Sequence, residues 1–348
     1  MTEKQLQKSG DNSTNVQAGN IIINQGISYS EAKEIAIDVF KNNFIELSSS
    51  AAEEASKRVE EFVEDYLTKL KSKNPNLLEN VKDPGLQYSI FEAQKSYART
   101  GDKDLFNLLV NVLLDRTENT KRDLKQIVLD ESLSIAPKLT REQLDALTLI
   151  FLIKYSIHNG LGNLTILNDY LKREFSPFCV SLSKELSCYQ HLEYVGCGSV
   201  SIGGAKIEKI FRQNYSGLFS NGFESNKFET EIGPIPTYQN ILIVCLRDPN
   251  KIQTRGLNED ELKKLLEKGN ISENIRPKII QLFNQSIMDE PSIKDDLISR
   301  GDFMKTLFDV WDNSSMNHMT ITSVGVSLAQ ANYHIKTGQL LDLSMWIK

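Results

Sequence analysis

Residues 28–73 read SYSEAKEIAIDVFKNNFIELSSSAAEEASKRVEEFVEDYLTKLKSK. Ser28 and Glu31 match an S-x-x-E capping box, in which hydroxyl and carboxylate satisfy each other's backbone N–H groups. Apolar or small residues then recur at Tyr29, Ala32, Ala36, Phe40, Phe44, Leu47, Ala51, Ala55, Val59, Phe62, Tyr66 and Leu70. The steps are three or four residues, and the period of ~3.7 lies nearer an 11-residue repeat than a heptad. The stripe predicts one amphipathic helix over 28–73, straight or slightly right-handed, and roughly 60 Å long. Ile35, Ile37, Val39, Ile45 and Val63 widen its apolar surface, while Glu53, Glu54, Glu60, Glu61 and Glu64, offset by Lys57 and Arg58, form a wet face. Ser48-Ser49-Ser50 lowers helix propensity and allows a bend. Asn74-Pro75 ends the helix, because a residue before proline is driven out of the α region. The stripe needs a partner: the rest of the chain, or the same helix of another subunit in a coiled coil.

Downstream, Asp83-Pro84-Gly85 is a turn that opens a second region. Residues 86–100, 105–115, 124–135, 144–155 and 164–175 read as helices, with Gly101-Asp102 and Pro137 as breaks. Thr140 and Gln143 form another capping box. Short loops between amphipathic pieces predict a helical bundle over 83–176. A small α+β module is expected over 177–255. There one helix runs through Cys188, and residues 192–202 (LEYVGCGSVSI) alternate and carry glycines, which predicts a hairpin. A short helix over 207–214 follows, and helix, hairpin and helix together predict a winged-helix-like insert. Residues 241–246 (ILIVCL) predict a short buried strand. A C-terminal helical region spans 256–348, with breaks at Gly269, Pro277, Pro291 and Gly301, and its apolar end, 340–347, is expected to dock as a strand or extended tail. The fold class is therefore mainly α.

Ahead of the long helix, residues 10–26 read GDNSTNVQAGNIIINQG, rich in Asn and Gln with one acid and no base. As an extended segment both faces mix amides with small or β-branched groups, which fits poorly on a globular core. Stacked in register, the amides would ladder while Val and Ile interdigitate. Low charge and the lack of proline leave such an edge unprotected. Assembly is expected to run through Asn15, Val16, Gln17, Ala18, Gly19, Asn20, Ile22 and Asn24. The alternative is a polar tail without order.

Val16-Gln17-Ala18-Gly19, followed by Asn20 and Asn24, resembles the core of the receptor-interacting-protein homotypic interaction motif and its bacterial amyloid-signalling relatives. Ala18 stands where that family prefers a larger aliphatic. The leader together with residues 28–44 also resembles a leader-plus-helix module at the front of assorted uncharacterised bacterial proteins. Some proteins with related leaders resemble phage-defence components. These resemblances imply self-assembly, with no activity attached.

A chain of 348 residues is long enough for a sizeable core. Its net charge of −6 argues against a surface coated for nucleic acid, though a local basic patch is compatible with it. Cys179, Cys188, Cys197 and Cys245 form neither a disulfide framework nor a zinc spacing, and read as reduced, mostly buried small hydrophobes. The start of the sequence has no apolar signal-peptide core, and the longest aliphatic run is LIFLI at 149–153. A soluble cytoplasmic protein with no membrane span is expected.

Motifs for chemistry are few. His158, His191, His318 and His334 form no HExxH or HxH. His334, Lys336 and Asp342 approximate a phospholipase-D-like HxKxxxxD motif, but the acid falls one residue late and no second copy exists. Ser181 and Lys184 fit SxxK, which needs one helical turn to pair nucleophile with base. The glycines from Gly196 to Gly204 match no phosphate loop and suit the expected hairpin. Glu259-Asp260-Glu261 and Asp295-Asp296 fit helix starts, where the dipole favours negative charge. Lys206, Lys209 and Arg212 share one face of the 207–214 helix and would touch phosphates in a winged helix. No catalytic set, metal site or cofactor site emerges.

These features point to a non-enzymatic, self-assembling interaction or signalling protein, a homo-oligomer with a protein partner, in phage defence by resemblance. One alternative is a nucleic-acid-binding regulator using Lys206, Lys209 and Arg212. Another is an enzyme whose site is assembled from scattered residues.

Overall fold

The computed structural model describes residues 27–43 and 49–348, and the fold is mainly α with a small β component. The eight expected assembly residues, Asn15 to Asn24, lie outside the described residues. The long pattern is divided into two helices, α1 (Tyr29–Asn43) and α2 (Ser49–Lys73). They run antiparallel: Lys33 meets Glu64 at 4.0 Å, and the Lys71 ammonium sits 5.7 Å from the Tyr29 ring. The expected single rod of 28–73 is thus corrected to a hairpin. Folding back lets both halves of the stripe bury in one core. Ala32, Ala36 and Phe40 on α1 and Ala55, Val59, Phe62, Tyr66 and Leu70 on α2 are all buried within their own chain. Gln94, also buried, donates to the Ala36 carbonyl at 3.0 Å and ties α1 to the next helix. The capping box forms as read, with Glu31 accepting from Ser28 N–H at 2.7 Å and Ser28 Oγ accepting from Glu31 N–H at 3.2 Å.

After a 3₁₀ turn at Pro75–Lys82 come α3 (Pro84–Thr100), α4 (Lys103–Glu118) and α5 (Leu124–Ile135). Each starts on an aspartate, Asp83, Asp102 or Asp123, whose carboxylate accepts backbone N–H groups of the first turn. Gly101 closes α3 at φ +65°, where a side chain would be strained. Then follow α6 (Arg141–Lys154), opened by the Thr140–Gln143 capping box, α7 (Leu164–Glu174) and α8 (Leu186–Tyr194).

The first strand, β1 (Gly198–Val200), precedes α9 (Ile207–Asn214) and α10 (Ser225–Glu231). Strands β2 (Leu242–Val244) and β3 (Ile252–Thr254) form an antiparallel hairpin, so the strand expected within 241–246 is present. Four helices complete most of the remainder: α11 (Glu259–Lys268), α12 (Arg276–Ser286), α13 (Glu290–Ser299) and α14 (Asp302–Asp312). Strand β4 (Met319–Ile321) leads into α15 (Ser323–Thr337).

The hairpin expected over 192–202 does not form. β1 pairs instead with β4, with Ser199 opposite Thr320. The glycines serve that pairing: a Cβ on Gly198 would stand 2.5 Å from the Thr320 carbonyl oxygen. Without a local wing, the winged-helix-like arrangement is corrected to a helix and strand tied to the far end of the chain.

Helix α15 lies at the centre, packed on α6, α4 and α5. Its small residues allow close approach, and a Cβ on Gly325 would fall 2.1 Å from the Cys197 carbonyl oxygen. The C-terminal segment docks on this body as a 3₁₀ turn, Leu343–Met345, where an extended tail or strand was expected. Trp346 donates to the Tyr155 carbonyl at 2.8 Å and packs edge-on against Phe151. A second, smaller core joins Phe223, Phe228 and Leu242 to Leu262, Leu266 and Phe283, drawing on both sides of position 255.

Candidate functional site

Helices α2 and α3 and the turn after α5 border a groove of about 860 Å³. Its floor is Ala51 and Ala55 on α2, Phe91 and Ala98 on α3, and Pro137 in the turn. The sequence builds this floor by helical spacing, since residues four or seven apart fall on one face. Alanines keep it shallow, so another backbone can approach closely. The rim is charged. Arg58 bonds Glu54 at 3.1 Å and donates to the Ala98 carbonyl at 2.9 Å, near the C-terminal end of α3 where the helix dipole favours a cation. Lys95 pairs with Glu92 at 2.5 Å. Both rim acids are therefore engaged, and Arg99 and Lys138 stand without a carboxylate partner among the described residues. The groove is an apolar trough with two cations that lack a carboxylate partner among the described residues, on a chain of net charge −6.

On α9, Lys206 and Lys209 are exposed and Arg212 is half-buried. Arg212 turns inward and donates to the Met288 carbonyl at 3.2 Å, and Lys206 lies 3.9 Å from Glu290. Ser181 and Lys184 lie outside any helix, so the one-turn geometry of SxxK is absent, and Lys184 pairs with Asp309 at 2.5 Å. His334, Lys336 and Asp342 take separate tasks. His334 Nδ1 donates to the Gln339 carbonyl, Lys336 pairs with buried Asp145, and Asp342 accepts from Ser344 N–H. Glu259-Asp260-Glu261 occupies the first turn of α11 as expected. Asp295-Asp296 lies inside α13 rather than at its start.

The cysteines are free thiols. Burial pushes Cys179 and Cys197 up to about 12 and Cys188 to about 11, so none of these three is a thiolate at neutral pH. Among the described residues no group of three or more His, Cys, Asp or Glu is placed to hold a metal, and no helix is long and apolar enough to cross a membrane.

Two part-buried charged sites, Lys154 and Asp296, escape a sequence reading. Lys154 donates to the Asn317 and Met319 carbonyls at 2.8 and 2.7 Å, and burial pushes its amine down to about 8. Asp296 lies between Arg247 and Arg300. No local motif marks either one, because their partners are distant in the chain.

A protein-family model whose description reads only “:-like” matches residues 26–347, nearly the whole chain. The chain belongs to that family. The description carries no activity, so the match covers residues of both cores and assigns no chemistry. No curated protein and no solved structure matches the chain.

Proposed function

We propose that the protein is a non-enzymatic interaction protein whose groove between α2 and α3 takes an acidic amphipathic helix of a partner. The observation that carries this reading is the combination of an apolar floor with Arg99 and Lys138, cations without a carboxylate partner among the described residues. Ala51 to Arg58 and Phe91 to Ala98 each span about two helical turns, roughly 10 Å, which suits the face of a docked helix. Charge complementarity selects the occupant. The chain's own residues 1–26 hold two acids and two bases, so the leader offers no net charge to the rim.

Self-association through Asn15 to Asn24, in a cytoplasmic homo-oligomer, is a second part of the proposal and rests on the leader sequence. A phage-defence setting rests on the resemblance of that leader alone. Direct nucleic-acid binding is not favoured, since Arg212 is committed to a backbone carbonyl.

The test uses fluorescence anisotropy with a labelled amphipathic helical peptide carrying Glu and Leu, and a Lys-for-Glu version as control. The full chain should bind the acidic peptide saturably, and Arg99→Glu with Lys138→Glu should weaken it by about tenfold or more. Equal binding of both peptides, or no effect of the charge reversals, refutes the reading. A chain starting at Ser28 that binds far more tightly identifies the leader as the natural occupant, against the proposal. Light-scattering mass on the same two proteins tests the leader as an assembly element.

A further inference from the structure

A second site, independent of the groove, lies between α4 and α15 beneath the C-terminal segment: a cavity of about 140 Å³. Asn111 and Asp115 line it from α4, Gln330 and His334 from α15, and Lys73 from the end of α2. The remaining wall is leucine and alanine.

Gln330 is 8% exposed, and its Nε2 has no acceptor among the described residues. A buried amide N–H left unpaired costs free energy that an acceptor entering the cavity would recover. Its neighbours present the opposite need. Asn111 donates one Nδ2 hydrogen to the Asn107 carbonyl at 2.8 Å, and its Oδ1 is an acceptor. His334 Nδ1 donates to the Gln339 carbonyl at 3.2 Å. Lys73 pairs with Glu118 at 2.7 Å and stands 3.9 Å from Asp115. Asp115, its side chain 38% exposed, is therefore the less closely paired of the two carboxylates, and partial burial raises its pKa from the ordinary value.

The lining thus asks for one acceptor beside Gln330 and for donors beside Asp115 and Asn111. The volume equals the liquid share of about four or five waters. A compact primary ammonium compound that also carries a hydroxyl or carbonyl oxygen answers both needs, and its charge offsets that of Asp115. We propose that this cavity binds a small amino-alcohol or amino-amide cation, its ammonium on Asp115 and its oxygen on Gln330.

Isothermal titration of the full chain with ethanolamine and with glycinamide tests this, with acetate and glycerol as controls at matched ionic strength. One or both amines should bind saturably at one site, and acetate and glycerol should not. Asp115→Asn and Gln330→Leu should each weaken the amine by about tenfold or more. Gln330→Leu replaces the unpaired amide with an apolar side chain, so its melting temperature should hold or rise, which separates lost binding from lost folding. Equal binding of glycerol overturns the assignment of a cation. Unchanged affinity in both variants, no saturable binding of either amine up to roughly 10 mM, or ordered water alone in an ethanolamine-soaked crystal overturns the site.

Discussion

Replacing Asp296 by Asn should loosen the joint between the two cores. Asp296 lies on α13, whose Ile293 and Leu297 belong to the main core. Arg247 follows strand β2 and reaches back across the joint. It donates to the Leu218 carbonyl at 2.8 Å and to Asp296 at 2.7 Å, and it stacks 5.4 Å from the Phe219 ring. Arg300 completes the clamp with bonds of 2.8 and 3.0 Å to the other carboxylate oxygen. The three side chains are only 11–17% exposed, so water does little to screen them. Burial alone would raise the Asp296 carboxyl, but bonds to Arg247 and Arg300 outweigh it and hold the pKa below its ordinary value. Asn keeps the shape but removes the charge, which leaves two guanidinium groups facing each other. Breaking one side of a buried pair costs ~3–5 kcal/mol, a large part of the ~5–15 kcal/mol that holds a domain together.

Urea denaturation of both proteins, followed by circular dichroism, measures that loss. The Cys245 amide donates to the Lys251 carbonyl and the Ile252 amide to the Phe223 carbonyl, so hydrogen exchange at these two amides localises it near β2 and β3. A loss under ~1 kcal/mol, the range of an exposed pair, refutes the clamp. Because the folded pKa of Asp296 is depressed, its contribution is present above the unfolded value near ~3.9 and is lost as pH falls through the folded value. The Asn variant should therefore lose less stability on acidification than the wild type. Replacing both Asp296 by Leu and Arg247 by Met should recover much of the deficit, since an apolar pair leaves only Arg300 to find solvent.

Two further outcomes are expected. Gly325→Ala should lower stability by ~1–3 kcal/mol in thermal melts despite alanine's better helix propensity, because the new Cβ would stand 2.1 Å from the Cys197 carbonyl oxygen. Gly162→Ala, with nothing within 4 Å of its Cβ, is the control and should stay neutral or gain slightly. For Lys154, the folded amine titrates at about 8 against 10.5 for the free side chain, so the unfolded chain binds the extra proton between those values. Wild-type stability should rise with pH across that window relative to Lys154→Met, and parallel urea midpoints at both ends would refute the assignment.

The sequence by itself determined the mainly α character, the first capping box at Ser28–Glu31, the second at Thr140–Gln143, and most helix breaks. These are local matters, because a cap or a periodic face is written within one or two turns of chain. Tertiary structure decided the rest. The stripe of 28–73 has a helical period whether it forms one rod or two helices, and only the shared core selects the hairpin. The glycines near 198 suit a local turn as well as a close approach, and β4, far downstream, is the neighbour that uses them. The groove joins α2, α3 and the turn after α5, and the polar cavity joins α2, α4 and α15. Neither has a motif, because each exists only where separate helices bring single residues together.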